Sequence, residues 1–174
     1  MSDIFDKVVG DEDPIKKLLG KIPGFKGYVE RGDRRMSDKI LREKVADEFE
    51  AQYQRLSGIQ RDLISQGGLA YIDDLENAAI KLRQFVDRVR TASYGYAGLF
   101  DAIKIKEDEL AQVYQFDASL LEQSTVIGSA LDNVEASLGT DGLPAAVKNL
   151  ITQSQNSLDL FNKRSDAMKG IAAN

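Results

Sequence analysis

Three short acidic clusters are the residues whose types and spacing come closest to a site for chemistry. They are Glu107-Asp108-Glu109, Asp73-Asp74-Glu76 and Asp11-Glu12-Asp13. Carboxylate oxygens are the ligands that Ca²⁺ and Mg²⁺ prefer in proteins. None of the clusters has the loop spacing of an EF-hand, and each lies near a predicted helix start, where acidic side chains stabilise the helix dipole. We therefore interpret them as N-terminal helix charges and expect no metal site.

The chain contains no histidine and no cysteine. Their absence excludes imidazole acid–base catalysis, a Ser-His-Asp arrangement, thiolate chemistry, zinc fingers and iron–sulfur clusters. The stretch Gly95-Tyr96-Ala97-Gly98 lacks the Gly-Lys-Ser/Thr of a phosphate-binding loop. We expect no cofactor, no small-molecule substrate and no enzymatic activity. The alternative is an enzyme that uses carboxylates, tyrosines or lysines inside the fold.

Asp117 falls on the apolar stripe of a predicted helix, between Val113 and Leu120. A buried carboxylate must be paired with a cation or neutralised. One interpretation is a polar site inside the fold, with Ser124 and Ser154 at comparable positions. The other is a seam residue that bonds to a tyrosine or an arginine, or that a modest rotation of the helix exposes.

A basic segment lies close to the N-terminus. Residues 15–44 carry ten basic and four acidic residues, whereas residues 1–14 carry one basic and five acidic residues. A basic segment with interleaved apolar residues can bind an anionic membrane surface, an acidic partner or nucleic acid. Alternatively, it folds back, buries its apolar residues and neutralises an acidic bundle. The candidate residues for lipid or partner contact are Lys16, Lys17, Lys21, Phe25, Lys26, Arg34 and Arg35.

Residues 93–98 interrupt the helical pattern and place Tyr94 and Tyr96 among glycines. Aromatic side chains in a turn supply contact area at a low entropic cost. Tyr94 and Tyr96 are therefore a candidate recognition turn. The alternative is that the two rings close one end of the fold.

Apolar residues recur at steps of three and four along most of the chain, which predicts long amphipathic helices. The predicted helices cover roughly 14–19, 33–65, 70–91 and 98–138, with a kink near 104–107, and a last helix runs from Pro144 to about Gly170. Asp33 is predicted to cap the second helix and Gly67-Gly68 to end it. The glycines between Gly20 and Gly32 predict a loop.

These elements predict an all-α protein, an antiparallel up-down-up-down four-helix bundle with long, unequal helices and coiled-coil-like packing. Residues 1–32 form an N-terminal arm with a short helix and a Gly-rich loop, and residues 33–174 form the bundle. The longest helices must overhang, bend or be covered by the arm. The alternative is a three-helix bundle with the fourth helix docked elsewhere.

The expected function is that of a non-enzymatic interaction or scaffold protein that binds a protein partner or a second copy of itself. The alternative is a peripheral membrane-associated protein that docks on anionic lipid through the basic amphipathic segment 15–35. The net charge of −5 disfavours nucleic acid as a partner. The sequence shows neither a signal-peptide pattern nor eighteen consecutive apolar residues, so we expect a cytoplasmic protein, or one at the membrane surface.

Overall fold

The structure, a computed structural model, describes residues 14–30, 32–92 and 106–173. The described residues form six α-helices and a short 3-10 turn, and they contain no strand. The helices are α1 (Pro14–Lys21), α2 (Phe25–Glu30), α3 (Arg34–Ser65), α4 (Ile72–Thr91), α5 (Glu107–Ser137) and α6 (Leu143–Ala173), with the 3-10 turn at Leu69–Tyr71. The predicted all-α fold is confirmed.

Both ends of α3 form as the sequence predicts. The Asp33 carboxylate accepts a hydrogen bond from the backbone N–H of Met36 at 3.1 Å, which satisfies one of the free donors at a helix start. At the other end, Gly67 adopts the left-handed backbone, with φ of +79°. The Gly68 N–H then donates to the Leu63 carbonyl at 2.9 Å, which closes the helix.

Side-chain contacts between α3 and α4 show that these two helices are antiparallel. Arg90 lies beside Asp47, with 3.3 Å between the guanidinium nitrogen and the carboxylate oxygen. At the other end of the pair, Gln60 donates to Glu76 at 3.0 Å. Helices α5 and α6 are antiparallel by the same criterion, since Gln123 bonds to Gln153 and Asp117 to Arg164.

The two helical hairpins pack side by side, α3 on α5 and α4 on α6. Both of these contacts are between parallel helices. Lys81 bonds to Gln155 and Arg88 to Asn162, so α4 and α6 run in the same direction. The four long helices therefore alternate in direction along the chain, as predicted, but their order around the bundle is α3, α4, α6, α5. Consecutive helices α4 and α5 occupy opposite corners.

The prediction of a loop between Gly20 and Gly32 was wrong, because α2 lies within it. Gly24 and Gly32 flank this short helix with φ of +80° and +69°, a backbone conformation that favours glycine. Gly24 and Gly32 thus mark helix ends, whereas Gly20 and Gly27 lie inside α1 and α2. Burial of Phe25 in the core stabilises a helical turn that its glycine-rich composition does not predict.

Helices α1 and α2 together form a cap, residues 14–30, on the end of the bundle where α3 begins. Helix α1 packs on α5, and α2 packs on α3. Three apolar side chains of the cap, Leu18, Ile22 and Phe25, belong to the same core as the long helices. Helix α4 has 20 residues, whereas the other long helices, α3, α5 and α6, have 31 or 32. The cap covers the part of α3 and α5 that α4 does not reach, which agrees with the alternative that the arm folds back.

The last helix is longer than predicted. Helix α6 continues through Ala173, three residues beyond the predicted end near Gly170. Met168 is fully buried against Val113, and this contact with α5 stabilises the final turns. Residues 98–105 of the predicted helix 98–138, which include half of its predicted kink at 104–107, lie outside the described residues.

Two glycine-to-alanine substitutions are expected to change stability in opposite directions. A Cβ at Gly67 or at Gly58 would meet no atom within 4 Å, so only the backbone distinguishes the two positions. Gly67→Ala forces alanine into the left-handed region and should lower the free energy of unfolding by about 1–2 kcal/mol. Gly58→Ala, inside α3, should raise it by about 0.5–1 kcal/mol. Urea unfolding measures both, and changes of the same sign would contradict the assignment.

Candidate functional site

Asp117 lies in the core, and its partner is Arg164. The Arg164 Nε–H donates to Asp117 Oδ1 at 2.7 Å, and the Nη2–H group donates to Oδ2 at 3.4 Å. The exposed fraction of Asp117 is 1% and that of Arg164 is 0%. Asp117 is therefore the seam residue bonded to an arginine, one of the two interpretations of the sequence.

Two further charged residues extend this pair into an ion cluster, defined as Asp38, Arg42, Asp117 and Arg164. Arg164 Nη2 also donates to Asp38 Oδ1 at 2.7 Å, and Arg42 Nε donates to Asp38 Oδ2 at 2.7 Å. Arg42 Nη1 donates to the Val89 carbonyl at 3.3 Å, close to the C-terminal end of α4. The cluster thus contacts all four long helices, with charges that alternate in sign and cancel.

The electrostatics of the cluster follow from burial and pairing. Burial lowers the pKa of the Arg164 guanidinium, but the charges of Asp117 and Asp38 outweigh this effect and the pKa is raised. Burial raises the pKa of the Asp117 carboxyl, and the Coulombic attraction of Arg164 acts in the opposite direction. Arg164 Nη1 is buried and has no hydrogen-bond partner among the residues that the structure describes. The cluster holds charge inside the core by mutual neutralisation.

Heptad spacing positions the charged side chains, and it is the signal by which the sequence could have revealed them. Arg164 is three residues after Phe161 and four before Met168, and both neighbours are buried. Asp38 and Arg42 precede Val45 by seven and three residues on the same buried stripe of α3. The burial of Asp38, Arg42 and Arg164 was not predicted, because a charged side chain at a seam position resembles a surface charge in the sequence.

Tyr114 lies between the ion cluster and the cap. Burial raises the pKa of the Tyr114 phenol to about 12, although a side-chain hydrogen bond with Ser37 opposes the rise. The Phe25 ring of the cap meets the Tyr114 ring edge-on, with 5.9 Å between centroids. The cap therefore separates this end of the core, and the charges within it, from water.

The two serines that the sequence placed near Asp117 do not join it. Ser124 and Ser154 are buried, but their hydroxyls donate to carbonyls one turn earlier in their own helices. Ser124 bonds to Leu121 O at 2.7 Å and Ser154 to Leu150 O at 2.8 Å. Their hydrogen-bonding capacity is met locally, and the predicted polar site around them does not form.

The acidic clusters at helix starts behave as helix charges where the structure describes them. Glu109 accepts from the Lys106 backbone N–H at 2.9 Å, and Asp73 and Asp74 occupy the first turn of α4. Within residues 14–30, 32–92 and 106–173, no group of three acidic residues lies close enough together to hold a metal ion. The cluster Asp11-Glu12-Asp13 lies outside the described residues.

The candidate contact residues near the N-terminus are divided between the surface and the core. Lys16, Lys21, Lys26 and Arg35 are exposed, and Arg34 is partly exposed. Phe25, predicted as a surface contact, instead lies in the core because its ring packs on Tyr114. The side chain of Lys17 and the predicted recognition turn, Tyr94 and Tyr96, lie outside the described part of the chain.

Comparison of the chain with protein-family models, with curated proteins and with solved structures finds no match in any of the three. Among the described helices, none combines the length and the apolar character needed to cross a lipid bilayer. The features that bear on function are therefore the geometry of the ion cluster, the cap and the surface.

Substitution of Asp117 is expected to be among the single changes that lower the stability of the fold most. Asp117→Ala leaves the Arg164 charge buried with less compensation and should lower the free energy of unfolding by about 3–5 kcal/mol. Asp132→Ala is the matched control, because Asp132 also pairs with an arginine, Arg55, but its side chain is 70% exposed. The control should cost less than about 1 kcal/mol. If chemical denaturation gave equal losses of unfolding free energy for Asp117→Ala and Asp132→Ala, burial of the ion cluster would be contradicted.

Tyr114 is expected to make stability depend on alkaline pH. Its pKa is raised from 10.0 to about 12 in the folded chain, so the unfolded chain loses the phenolic proton first as the pH rises. The stabilisation is complete below pH 10 and should fall by about 1.4 kcal/mol per pH unit between pH 10 and about pH 12. The free energy of unfolding should therefore decline more steeply in the unsubstituted chain than in Tyr114→Phe. Parallel pH curves for the two proteins would contradict burial of Tyr114.

Proposed function

We propose that the chain is a non-enzymatic helical bundle that acts as an interaction or scaffold module. The observation that carries this proposal is the closure of the ion cluster. Asp117 and Arg164 are 1% and 0% exposed, and their charges are used to neutralise each other. A substrate could reach these groups only if the bundle opened, so binding at the outer surface is the simpler use of this architecture.

A second copy of the chain is the partner that the surface favours. Ile64 and Leu69 flank the turn between α3 and α4, and their exposed fractions are 51% and 66%. Exposed apolar side chains that lie together on the surface favour a protein contact there. We call Ile64 and Leu69 the turn patch.

Charge also supports a contact between the cap of one copy and the opposite end of the bundle of another copy. The exposed carboxylates of Asp62, Asp73 and Asp74 lie near the turn patch, at the end of the bundle opposite the cap. The cap exposes lysine side chains. Opposite charges on two surfaces favour their encounter and set their orientation. A head-to-tail contact of this kind leaves one end of each copy available to the next.

Sedimentation velocity over a wide range of protein concentration tests self-association. The double variant Ile64→Ser, Leu69→Ser should dissociate at concentrations where the unsubstituted chain is associated, because the apolar contact is lost. Ile80→Ser is the matched control, since Ile80 is 58% exposed but lies along α4, away from the turn. The control should associate as the unsubstituted chain does. A monomer at every concentration would contradict self-association.

An anionic lipid surface is the second candidate partner. The observation that favours it is the exposure of Lys16, Lys21 and Lys26 on one cap. Basic residues near an anionic membrane contribute on the order of 1 kcal/mol each to binding. Co-sedimentation with vesicles of phosphatidylserine and phosphatidylcholine tests this candidate, and an absence of binding at low salt contradicts it.

A further inference from the structure

The two sides of the cap differ in chemistry. Its outer side exposes Lys16, Lys21 and Lys26. Its inner side buries Leu18, Ile22 and Phe25, whose exposed fractions are 4% or less. A helical segment with basic and apolar sides has the composition of a segment that lies in the interface of an anionic membrane.

Apolar burial attaches the cap to the bundle. Helices α1 and α2 have eight and six residues, and helices of this length are not stable in water by themselves. Their structure therefore depends on the contact of Leu18, Ile22 and Phe25 with the core. Any other apolar environment that accepts the same three side chains competes with the bundle for the cap.

Glycines lie at both joints of the cap. Gly24 separates α1 from α2, and Gly32 separates α2 from α3, each with a positive φ. Because glycine occupies both halves of the backbone map readily, the chain can change direction at these joints without any change in α3. The long helix, with its Asp33 cap, begins only after the second joint.

We propose that the cap is a releasable membrane anchor. On an anionic lipid surface it leaves the bundle, places Leu18, Ile22 and Phe25 in the lipid interface and sets Lys16, Lys21 and Lys26 against the headgroups. This inference rests on the second candidate function, the binding of anionic lipid. It adds that the same three apolar residues serve the core in solution and the lipid when bound.

The balance between the two states depends on the lysines. Leu18, Ile22 and Phe25 are removed from water in both states, so their apolar burial contributes similarly to each. Attraction to anionic headgroups is available only in the bound state, and it adds roughly fivefold in affinity for each lysine. Release also uncovers Tyr114, which is 4% exposed under the cap. A zwitterionic membrane therefore leaves the cap docked, whereas an anionic membrane favours release.

The first experiment uses the variant Phe25→Trp to measure both the binding of the protein to vesicles and the insertion of the cap into the lipid. The chain contains no tryptophan, so the substituted side chain is the sole indole reporter. On anionic vesicles, the variant should co-sediment, and brominated acyl chains should quench most of its fluorescence. On zwitterionic vesicles, neither should occur. Circular dichroism first establishes that the variant is folded.

Charge reversal tests the part played by the lysines. The triple variant Lys16→Glu, Lys21→Glu, Lys26→Glu should lose about a hundredfold or more in vesicle affinity, at roughly fivefold per lysine removed. The matched control reverses three bases far from the cap, Arg61→Glu, Lys81→Glu, Lys148→Glu, and so changes the net charge equally. The control should keep most of its affinity. Equal losses in the two triple variants would overturn the role of the cap.

The second experiment uses the unsubstituted chain and decides the question if Phe25→Trp does not fold. Nitration of Tyr114, mapped by mass spectrometry, should increase in the presence of anionic vesicles with saturated acyl chains, because release of the cap uncovers the ring. Tyr53 and Tyr71, on α3 and next to α4, serve as internal references and should not change.

The outcomes separate this inference from the function on which it rests. Quenching of the indole in Phe25→Trp, or increased nitration of Tyr114, on anionic vesicles supports release. Vesicle binding with an unquenched indole and a protected Tyr114 overturns release and leaves lipid docking intact. An absence of binding at low salt overturns both.

Discussion

Four charges sealed in the core form the constraint on which the arrangement of the helices depends. Asp117, Arg164, Asp38 and Arg42 alternate in sign, and the hydrogen bonds between them join α3, α5 and α6, while Arg42 reaches α4 at Val89. Removal of each ion from water costs several kcal/mol unless a partner of opposite charge compensates it. A shift of one heptad in a single long helix would preserve the apolar seam but separate these partners. The cluster therefore selects one register among several that hydrophobic packing alone would allow.

The cap and the ion cluster depend on each other. Ion pairs strengthen as water is excluded, because the local dielectric constant falls. Phe25 and Tyr114 provide that exclusion at the end of the bundle where α4 has already ended. In turn, the register that the cluster imposes on α3 and α5 places the surface on which α1 and α2 dock. A short basic segment thus completes the core of a bundle whose remaining residues are acidic on balance.

The outer surface is the part of the molecule that the core leaves available for function. The ends of the bundle differ in chemistry, with lysines on the cap and with exposed carboxylates and two apolar side chains around the turn between α3 and α4. Unlike ends of this kind agree with the contacts proposed above, with further copies of the chain or with lipid. Polar contacts at the surface, such as that of Arg55 with Asp132 and Glu135, join neighbouring helices of the bundle.

The sequence by itself determined the features that depend on neighbours within one or two turns. The helix pattern, the Asp33 cap, the end of α3 at Gly67 and the position of Asp117 on the apolar stripe of its helix all follow from local spacing and side-chain chemistry. The tertiary structure decided the partners of Asp117, the order of the helices around the bundle and the docking of the cap. Arg164 lies 47 residues from Asp117 and 126 from Asp38 along the chain. Every amphipathic stripe repeats with the same period, so spacing shows that a residue faces a seam but not which helix lies across it.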